Sequence, residues 1–522
     1  MSTNNAVDQD APAAPVVNPI SDLPPGAPRT LFQQVMLLVV VTFVTMLYAM
    51  TVTIANVSLP QMQGSLSSTP DQIAWIVTFN IVATAVVTPI AGWLAGRFGR
   101  RRLMIWGILG FGASSVLCGL ATSVEELVIY RIGQGAFGAP LVPLSQAIVI
   151  ESYSERIRTR VMSIWGTGVI MGPIIAPAIG GALSEAYNWR WVFFMLVPFT
   201  LIALIGVMAF IKKRGERSET KLDWTGFAAL AVAITALQLM LDRGERAGWF
   251  SSGEILVYAG CCLAALWMFV VRNIQSPRPF LNPALLGDRN FVVGLVLIFI
   301  FGMLNFTPIT LLPTLLQSVQ GYPDSIIGQI LSARGAGTFV GFALLLVLGG
   351  LDPRIPMTIG LILQAWSGWI MAGFDVEVMT SDVLWAAAIQ GFGVGLIWVP
   401  LSIVTFATLA PALVPDGTAI FHLLRNMGSS IFISLSVALV IRETQISHAE
   451  MSPYVSRFRD AYQMPGIAQN LDLSDPGALA RIGGEMGRQA TMMGYINGFL
   501  LFAGCAAIAL PLIALVRVRR PG

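Results

Sequence analysis

The sequence predicts an all-α integral membrane protein whose chain crosses a bilayer fourteen times. Of its 522 residues, 55% are apolar and 11% are charged, whereas about 25% of the residues in an ordinary soluble domain are charged. The chain contains apolar segments long enough for transmembrane helices, which need about 20 residues each. Lys and Arg are concentrated in alternate connections between these segments. This composition excludes a soluble protein, and no basic block indicates binding to nucleic acid.

The apolar segments are separated by short connections, except for one long polar segment at residues 442–490. The first 35 residues are rich in Pro, Ala, Asp and Asn, which predicts a disordered tail. The predicted spans lie near residues 36–57, 73–95, 103–122, 127–149, 162–183, 190–211, 224–241, 254–271, 291–313, 326–348, 355–372, 383–409, 418–441 and 491–516.

The distribution of Lys and Arg predicts the orientation, because cytoplasmic loops of membrane proteins carry an excess of both. With the two termini in the cytoplasm, the inside segments hold 20 of the 31 Lys and Arg residues, and the short outside loops hold 3. The segment 442–490 then lies in the periplasm. We therefore expect a multi-pass protein of the cell inner membrane, with cytoplasmic N- and C-termini.

A glycine- and arginine-rich stretch closes the second predicted span. Residues 92–102 read GWLAGRFGRRR. Gly92 and Gly99 permit a tight connection between helices that slide past each other. Arg97 and Arg100 also fit a cytoplasmic loop with no further role. The charges alone are explained by orientation, whereas the glycine spacing indicates a role in gating.

Three further stretches place polar residues, Gly or Pro inside apolar spans. Residues 127–139 read LVIYRIGQGAFGA, and residues 424–430 read LRNMGSS. Residues 168–181 read GVIMGPIIAPAIGG, where Gly and Pro serve helix packing and bending, or a barrier to leak, or both. The residues that these stretches single out are Arg131, Gln134, Gly135, Gly172, Pro173, Pro177, Gly180, Gly181 and Arg425.

In their order and loop placement, these stretches resemble the major facilitator superfamily, and within it the fourteen-helix drug:proton antiporter branch. Residues 92–102 are similar to the family's loop signature G-x-L-x-D-R-x-G-R-R/K, except that Gly96 stands at the acidic position. Residues 127–139 and 168–181 look like the family's helix-4 motif and its antiporter helix-5 motif. Residues 53–60, TIANVSLP, are similar to the opening signature of the branch.

The resemblance implies an architecture and a function. It implies two six-helix halves, at residues 36–211 and 291–516, joined by a linker at 212–290 with two extra transmembrane helices, and short tails at 1–35 and 517–522. One half rocks against the other and exports hydrophobic or amphipathic compounds by proton antiport. The proton gradient supplies the energy, and no cofactor or metal is expected. Some members pass cargo to a periplasmic adaptor and a TolC-like outer-membrane channel, which are the implied partners.

Arginines inside predicted spans are candidate functional residues. A charge at the centre of a bilayer costs about 2.5–3.5 kcal/mol on insertion scales, so Arg131, Arg334 and Arg425 need a reason to be there. Arg131 and Arg425 also lie in motif-like stretches. Arginine does not release its proton. We therefore expect Arg131 to influence the protonation of a neighbour or to hold an anion.

The sequence departs from the family where proton coupling is expected. The usual Asp of the first span corresponds to Thr51, and a common Asp near the start of the last span corresponds to Asn497. With Gly96, three family carboxylates are missing. The remaining candidates for proton coupling are Glu151, Asp242 and His422, each of which also has a plainer interpretation as a helix-end charge or a packing residue. The candidates for the substrate cavity are Thr51, Asn56 and Asn497.

Three hypotheses about function remain open at this point. The first is a multidrug exporter driven by protons. The second is an exporter of one lipid-like or metabolite compound that is not coupled through the first-helix Asp. The third, from a different class, is a sensor or scaffold that has lost transport. An enzyme is not expected, because the sequence has no nucleotide-binding loop, serine-elbow motif or metal-ligand spacing.

Overall fold

The chain folds into a bundle of long helices. The structure is a computed structural model, and it describes residues 30–212, 222–277, 279–347, 351–455 and 475–517. Within these ranges, 12 helices are long and apolar enough to cross a membrane. The predicted all-α membrane architecture is therefore confirmed at that level.

We number the helices α1 to α14, and a helix interrupted within one predicted span keeps a single number. The first seven are α1 (Leu31–Val57), α2 (Pro70–Val87 and Ala91–Phe98), α3 (Arg100–Leu120), α4 (Val124–Gly138 and Leu141–Ser152), α5 (Glu155–Ala186), α6 (Trp191–Phe194 and Leu196–Phe210) and α7 (Trp224–Ala247). The others are α8 (Gly253–Gln275), α9 (Arg289–Gln320), α10 (Asp324–Val347), α11 (Arg354–Ala372), α12 (Thr380–Phe406), α13 (Val414–Met451) and α14 (Pro476–Ala509).

Local sequence determines where several helices begin. Before α2, Gln72 N donates to Thr69 Oγ1 (3.3 Å) and Thr69 N donates to Gln72 Oε1 (3.0 Å), which is a reciprocal cap. Pro70 occupies the first helical position, where no backbone N–H is needed. Asp223 caps α7 by accepting from Gly226 N at 3.2 Å. These side chains satisfy backbone donors that the first turn of a helix leaves unpaired.

The helix packing repeats between the two parts of the chain. In the first part α1 packs on α5, α2 on α4, and α3 on both α4 and α6. In the second part α9 packs on α13, α10 on α12, and α11 on both α12 and α14. Each pair of the first part thus recurs when eight is added to both helix numbers. We call α1–α6 the first half and α9–α14 the second half of the chain, and α7 and α8 lie between them in sequence.

The two halves meet along two seams. At one seam α5 packs on α10 and α12, and at the other α13 packs on α2 and α4. Helix α7 lies beside the second seam and contacts both α2 and α13, whereas α8 packs mainly on α7. The face of α8 away from α7 is apolar and exposed, as at Trp267 (72% exposed). An exposed apolar face of this kind fits contact with lipid.

Several helices are longer than the predicted spans. Helix α13 continues to Met451 and α14 begins at Pro476, so both ends of the predicted loop 442–490 are helical. Helix α1 begins at Leu31, inside the predicted tail, whose residues 1–29 lie outside the described residues, as do 518–522. The physical reason is that hydropathy marks only the part of a helix in lipid. The 38 residues of α13 extend about 57 Å, well beyond a hydrocarbon core of about 30 Å.

Candidate functional site

The connection between α2 and α3 is a single residue, Gly99. Its φ of 86° lies in the left-handed region, which disfavours residues with a side chain. Arg97 is exposed in the last turn of α2. Arg100, at the start of α3, forms an ion pair with Glu151 near the end of α4. We call the side of the bundle that contains Arg97, Arg100, Glu151 and the start of α13 the arginine-rich face.

On the arginine-rich face, α2 and α13 approach each other closely at Gly92. A Cβ atom built on Gly92 would lie 2.7 Å from Asp416 Cα and 2.8 Å from Asp416 N, closer than packed atoms tolerate. Asp416 lies in the first turn of α13. It lines a cavity of about 1000 Å³ together with Gly96, Arg100 and Glu151. Asp416 interacts electrostatically with Arg100, so opposite charges from the two halves face this cavity.

Arg131 is enclosed within the first half. It is 1% exposed, its Nη1 donates to Gln134 Oε1 (2.6 Å), and its Nε donates to Ile76 O (3.3 Å). Gln134 Nε2 in turn donates to Ser115 Oγ (2.8 Å). The guanidinium lies over the ring of Phe193, 5.8 Å from its centroid. Within the described part of the chain Arg131 has only neutral partners, so its charge is stabilised without a carboxylate.

Gly135 allows α2 to pack against α4 beside Arg131. A Cβ on Gly135 would lie 3.1 Å from both Asn80 Nδ2 and Thr84 Oγ1. Asn80 Nδ2 donates to Arg131 O at 2.8 Å. The helix-4 motif therefore packs two helices and positions Arg131 at the same time.

Arg334 on α10 occupies a comparable enclosed position in the second half. Its Nε donates to Gln390 Oε1 (2.6 Å), and its Nη2 donates to Asn305 Oδ1 (2.6 Å). Gln390 Nε2 donates to Gln364 Oε1 (3.0 Å). Each half thus contains a buried guanidinium held by side-chain amides.

The helix-5 stretch lies against α1. A Cβ on Gly172 would lie 2.6 Å from Met46 O, and one on Gly180 would lie 2.7 Å from Ile54 Cγ1. These two glycines therefore permit the close approach of α5 to α1. Pro173 is half-buried and Gly181 also lies in α5. The side chain of Pro177 is outside the described part of the structure.

His422 and Arg425 lie on α13, one turn apart, next to the seam between the halves. His422 Nε2 donates to Gln146 Oε1 on α4 at 2.6 Å, and both side chains are buried. The guanidinium of Arg425 lies 5.5 Å from the centroid of Trp398 and 6.0 Å from that of Phe306. The ring of His422 packs 6.0 Å from that of Trp398. Polar groups of both halves therefore meet here inside an aromatic enclosure.

Toward the opposite end of the bundle from the arginine-rich face, two carboxylates each accept a hydrogen bond from a neighbouring helix. Asp242 at the end of α7 accepts from Thr78 Oγ1 on α2 at 2.9 Å. Glu443 on α13, a half-buried residue, accepts from Asn497 Nδ2 on α14 at 3.0 Å. The structure thus places a carboxylate beside Asn497, on the neighbouring helix.

The remaining cavity candidates are less informative. Thr51 is 1% exposed, and its hydroxyl donates to Tyr48 O at 2.6 Å within α1. This local hydrogen bond satisfies the hydroxyl within its own helix. The side chain of Asn56 lies outside the described part of the structure. The structure therefore brings Arg100 to Glu151 and places His422 and Arg425 one turn apart on α13. The hydrogen bonds of Thr51 and Asn497 go to Tyr48 and Glu443.

Sequence reasoning did not identify Asp416, Gln146 and Glu443. Asp416 lies just before the predicted start of its span, and Glu443 lies just after the predicted end, so both were assigned to connections. A helix-start signal was present, because Pro415 directly precedes Asp416 and acidic residues favour the first turn. Nothing in the sequence pairs Gln146 with His422, since 276 residues separate them.

Most of the chain is similar in sequence to known proteins. Residues 41–433 match the family model described as Major Facilitator Superfamily. The multidrug export protein EmrB of Escherichia coli (strain K12) is 30% identical over 488 residues, which cover 92% of this chain and 95% of that protein. The fatty acid resistance protein FarB of Neisseria gonorrhoeae is 29% identical over 470 residues, covering 89% and 92%.

Solved structures show the same fold at low sequence identity. The crystal structure of the human organic anion transporter MFSD10 has a TM-score of 0.59 at 14% identity, and covers 91% of this chain and 99% of that one. The proton:xylose symporter XylE has a TM-score of 0.56 at 14% identity, with 88% and 95% covered. At these identities the likeness concerns the fold alone.

Proposed function

Since the chain belongs to the major facilitator superfamily, we propose that it is a secondary active transporter that exports hydrophobic or amphipathic compounds across the cell inner membrane. The similarity to a multidrug export protein extends over 95% of that relative. The structural observation that carries the proposal is the seam between the halves, where His422 hydrogen-bonds to Gln146. Alternating access requires a contact of this kind to form and break.

We further propose fourteen crossings, with two extra helices between the six-helix halves. Twelve helices meet the length and apolarity requirements. Helix α5, with 32 residues, and the two pieces of α4 supply the other two. A helix of 32 residues extends about 48 Å, enough to cross a bilayer. The recurrent packing of α1–α6 and α9–α14 supports the two halves.

The proposed orientation places the arginine-rich face in the cytoplasm. Arg97, Arg100, Arg101 and Arg102 lie on that face, as the positive-inside rule requires. The end of α13 and the start of α14 then lie in the periplasm. A cysteine introduced at the exposed Glu450 tests this orientation. It should react with an impermeant maleimide in intact cells, whereas labelling only after permeabilisation would contradict the orientation.

On the arginine-rich face, the contact between α2 and α13 is the proposed inner gate. Gly92 permits the contact, and Arg100 and Glu151 hold the adjoining ends of α3 and α4 together. We take the direct contact of α2 with α13 as the closed form of this gate. Rocking of α13 away from α2 and α4 would open it to the cytoplasm. The glycines of α5 would then maintain close packing on α1 while the halves move.

The proposed energy source is the proton gradient, used without a cofactor. Coupling requires a group that binds a proton in one state and releases it in the other. Glu151, Asp242 and His422 remain candidates. Glu443 joins them, because it is a half-buried carboxylate with an amide donor at Asn497. Thr51 is satisfied within its own helix, so coupling through α1 is not part of the proposal.

The proposed partners are small cargo molecules, lipid and, on the periplasmic side, an adaptor with a TolC-like outer-membrane channel. Helices α13 and α14 extend beyond the proposed membrane on that side. This extension gives an adaptor a surface outside the bilayer. Export into the medium, as opposed to the periplasm, would require such partners.

Efflux from cells that overexpress the chain tests the proposal. Hydrophobic dyes, drugs and a long-chain fatty acid should accumulate less than in control cells, and an uncoupler should abolish the difference. Reduced accumulation of one lipid-like compound only would favour the single-cargo hypothesis, for which the name of FarB is a precedent. Unchanged accumulation of every compound, at normal abundance of the protein, would favour a sensor or scaffold.

A further inference from the structure

The position where α2 lacks a carboxylate faces a carboxylate on α13. Gly96 stands at the acidic position of the loop signature, and both Gly96 and Asp416 line the same cavity. The side chain of Asp416 lies directly against α2 at Gly92. Arg100, which lines that cavity as well, interacts electrostatically with Asp416. A positive group of the first half and a negative group of the second half therefore face one cavity.

The place of Asp416 in α13 suits this arrangement. An acidic side chain in the first turn of a helix is stabilised by the unpaired backbone N–H groups and the helix dipole. A carboxylate at residue 96 would enter the cavity that Asp416 lines. Asp416 provides negative charge in that cavity from α13 itself. The two arrangements put a carboxylate in one cavity from opposite sides of the seam.

The same relation recurs at the other end of α13. There Asn497 on α14 stands where a family carboxylate is expected, and Glu443 on α13 accepts a hydrogen bond from it at 3.0 Å. Helix α13 thus carries Asp416 in its first turn and Glu443 about two turns before its end, and Glu443 accepts a hydrogen bond from an amide on α14.

We propose that Asp416 supplies from α13 the carboxylate that α2 lacks at Gly96, and thereby acts as the positioning residue that holds the arginine-rich face closed. The inference rests on the proposed function, because it treats the contact of α2 with α13 as a gate. Arg100 is kept in place by Glu151 of its own half. When α13 rocks away from α2, Asp416 moves away from Arg100, so its attraction favours the closed state alone.

A purely structural role makes a different prediction. If Asp416 only stabilises the first turn of α13, replacing it should loosen the helix end, and a new acid at residue 96 should not compensate. If Asp416 and residue 96 are alternative sources of one negative charge, the effect of an acid at residue 96 on closure should depend on whether Asp416 is present. The acid should close the face when Asp416 is absent. It should open the face when Asp416 is present, because two carboxylates then repel each other in one cavity.

Maleimide labelling of the full chain measures the closure directly. The four native cysteines are replaced by alanine, and Ala95→Cys, at a buried site lining the cavity (5% exposed), is the reporter. An impermeant maleimide is applied to inside-out vesicles, and rates are normalised to the protein present. The variants are Asp416→Asn, Gly96→Asp and the two combined. The matched control is Asp382→Asn, which removes an exposed first-turn carboxylate from α12.

We expect Asp416→Asn to raise the labelling rate about fivefold, the effect of losing one charge pair of about 1 kcal/mol. In the Asp416→Asn variant, adding Gly96→Asp should lower the labelling rate again. In the chain that retains Asp416, Gly96→Asp should raise the rate. The control Asp382→Asn should leave the rate unchanged. Equal rates for Asp416→Asn and its parent, or the same sign for Gly96→Asp in both backgrounds, would overturn the inference. Labelling needs no cargo, so a failure of export in the parent chain would contradict the proposed function and leave this test intact.

Discussion

His422 on α13 and Gln146 on α4 share a hydrogen bond of 2.6 Å across the seam between the two halves. Both side chains are buried, at 2% and 0% exposure. His422 lies eight residues into α13, about 12 Å from the helix start, and therefore directly behind the contact of Asp416 with α2. In the proposed gate, the contact of Asp416 with α2 is the outer layer, and the hydrogen bond of His422 to Gln146 is the inner layer.

The first prediction concerns this inner layer. His422→Phe and Gln146→Leu each remove one partner of the hydrogen bond, so each should raise maleimide labelling of Ala95→Cys. A buried hydrogen bond between neutral groups contributes about 1 kcal/mol. The combined variant should therefore label no faster than the more affected single variant, which gives a coupling energy of about 1 kcal/mol. Fully additive effects would show that the two residues act independently.

The second prediction concerns Arg131. Its guanidinium donates to Gln134 and to Ile76 O and has no acidic partner among the described residues. Arg131→Ala should abolish export while the protein reaches the membrane at normal abundance. Arg131→Lys should restore export only in part, because a lysine cannot donate in the same planar fork. The control is Arg488→Ala, a partly exposed arginine that pairs with Glu485 within α14. If the Arg131→Ala variant exports at the parental rate, Arg131 is not required for export.

The third prediction concerns the packing of α5 on α1. Gly172→Val and Gly180→Val place side-chain atoms where a Cβ alone would lie 2.6 Å and 2.7 Å from atoms of α1. Overpacking of this kind costs about 1–3 kcal/mol, so both variants should export slowly or leak protons. Gly260→Val on α8 is the matched control, because no atom lies within 4 Å of a Cβ there. Equal export by all three variants would show that the helix-5 motif has no role in export.

The sequence was sufficient for the all-α membrane fold class and the family, and both are confirmed, whereas the fourteen crossings stay a prediction. The length of an apolar segment and the order of the glycine motifs are local patterns along the chain, so they can be read directly from the sequence. The residues at which helices end are harder to predict from the sequence. Hydropathy falls where α13 leaves the bilayer, yet the helix continues to Met451, so Glu443 was placed in a loop. Arg131 lies buried in a helix, as its place in an apolar segment suggests, but the sequence does not indicate that the amide of Gln134 is its partner.

The site depended on contacts between distant residues. Asp416 is 324 positions from Gly92, and Gln146 is 276 positions from His422. No local pattern indicates which residues of α13 face α2, α4 or α14. Family carboxylates at residues 96 and 497 were therefore counted as missing, although the structure places Asp416 and Glu443 beside those positions on the neighbouring helix.

The fourth prediction concerns Glu443. If this carboxylate takes up and releases the coupled proton, Glu443→Gln should retain binding of cargo but lose most of the export that depends on a pH gradient. Exchange of cargo between the two sides, which needs no net proton movement, should persist. Glu450→Gln on the same helix is exposed and should behave as the parent. Undiminished pH-driven export by Glu443→Gln would exclude this residue and leave Glu151, Asp242 and His422 as candidates.

Cargo uptake by reconstituted vesicles with an imposed pH step tests the central claim most directly. One proton moving down 100 mV releases about 2.3 kcal/mol, which sustains roughly a fortyfold cargo gradient. Vesicles that contain the parent chain should accumulate a hydrophobic probe against its gradient when the pH step is imposed, and an uncoupler should abolish the accumulation. Probe movement that is indifferent to both pH and voltage, and that stops at equal concentrations, would contradict proton-driven export and indicate facilitated diffusion.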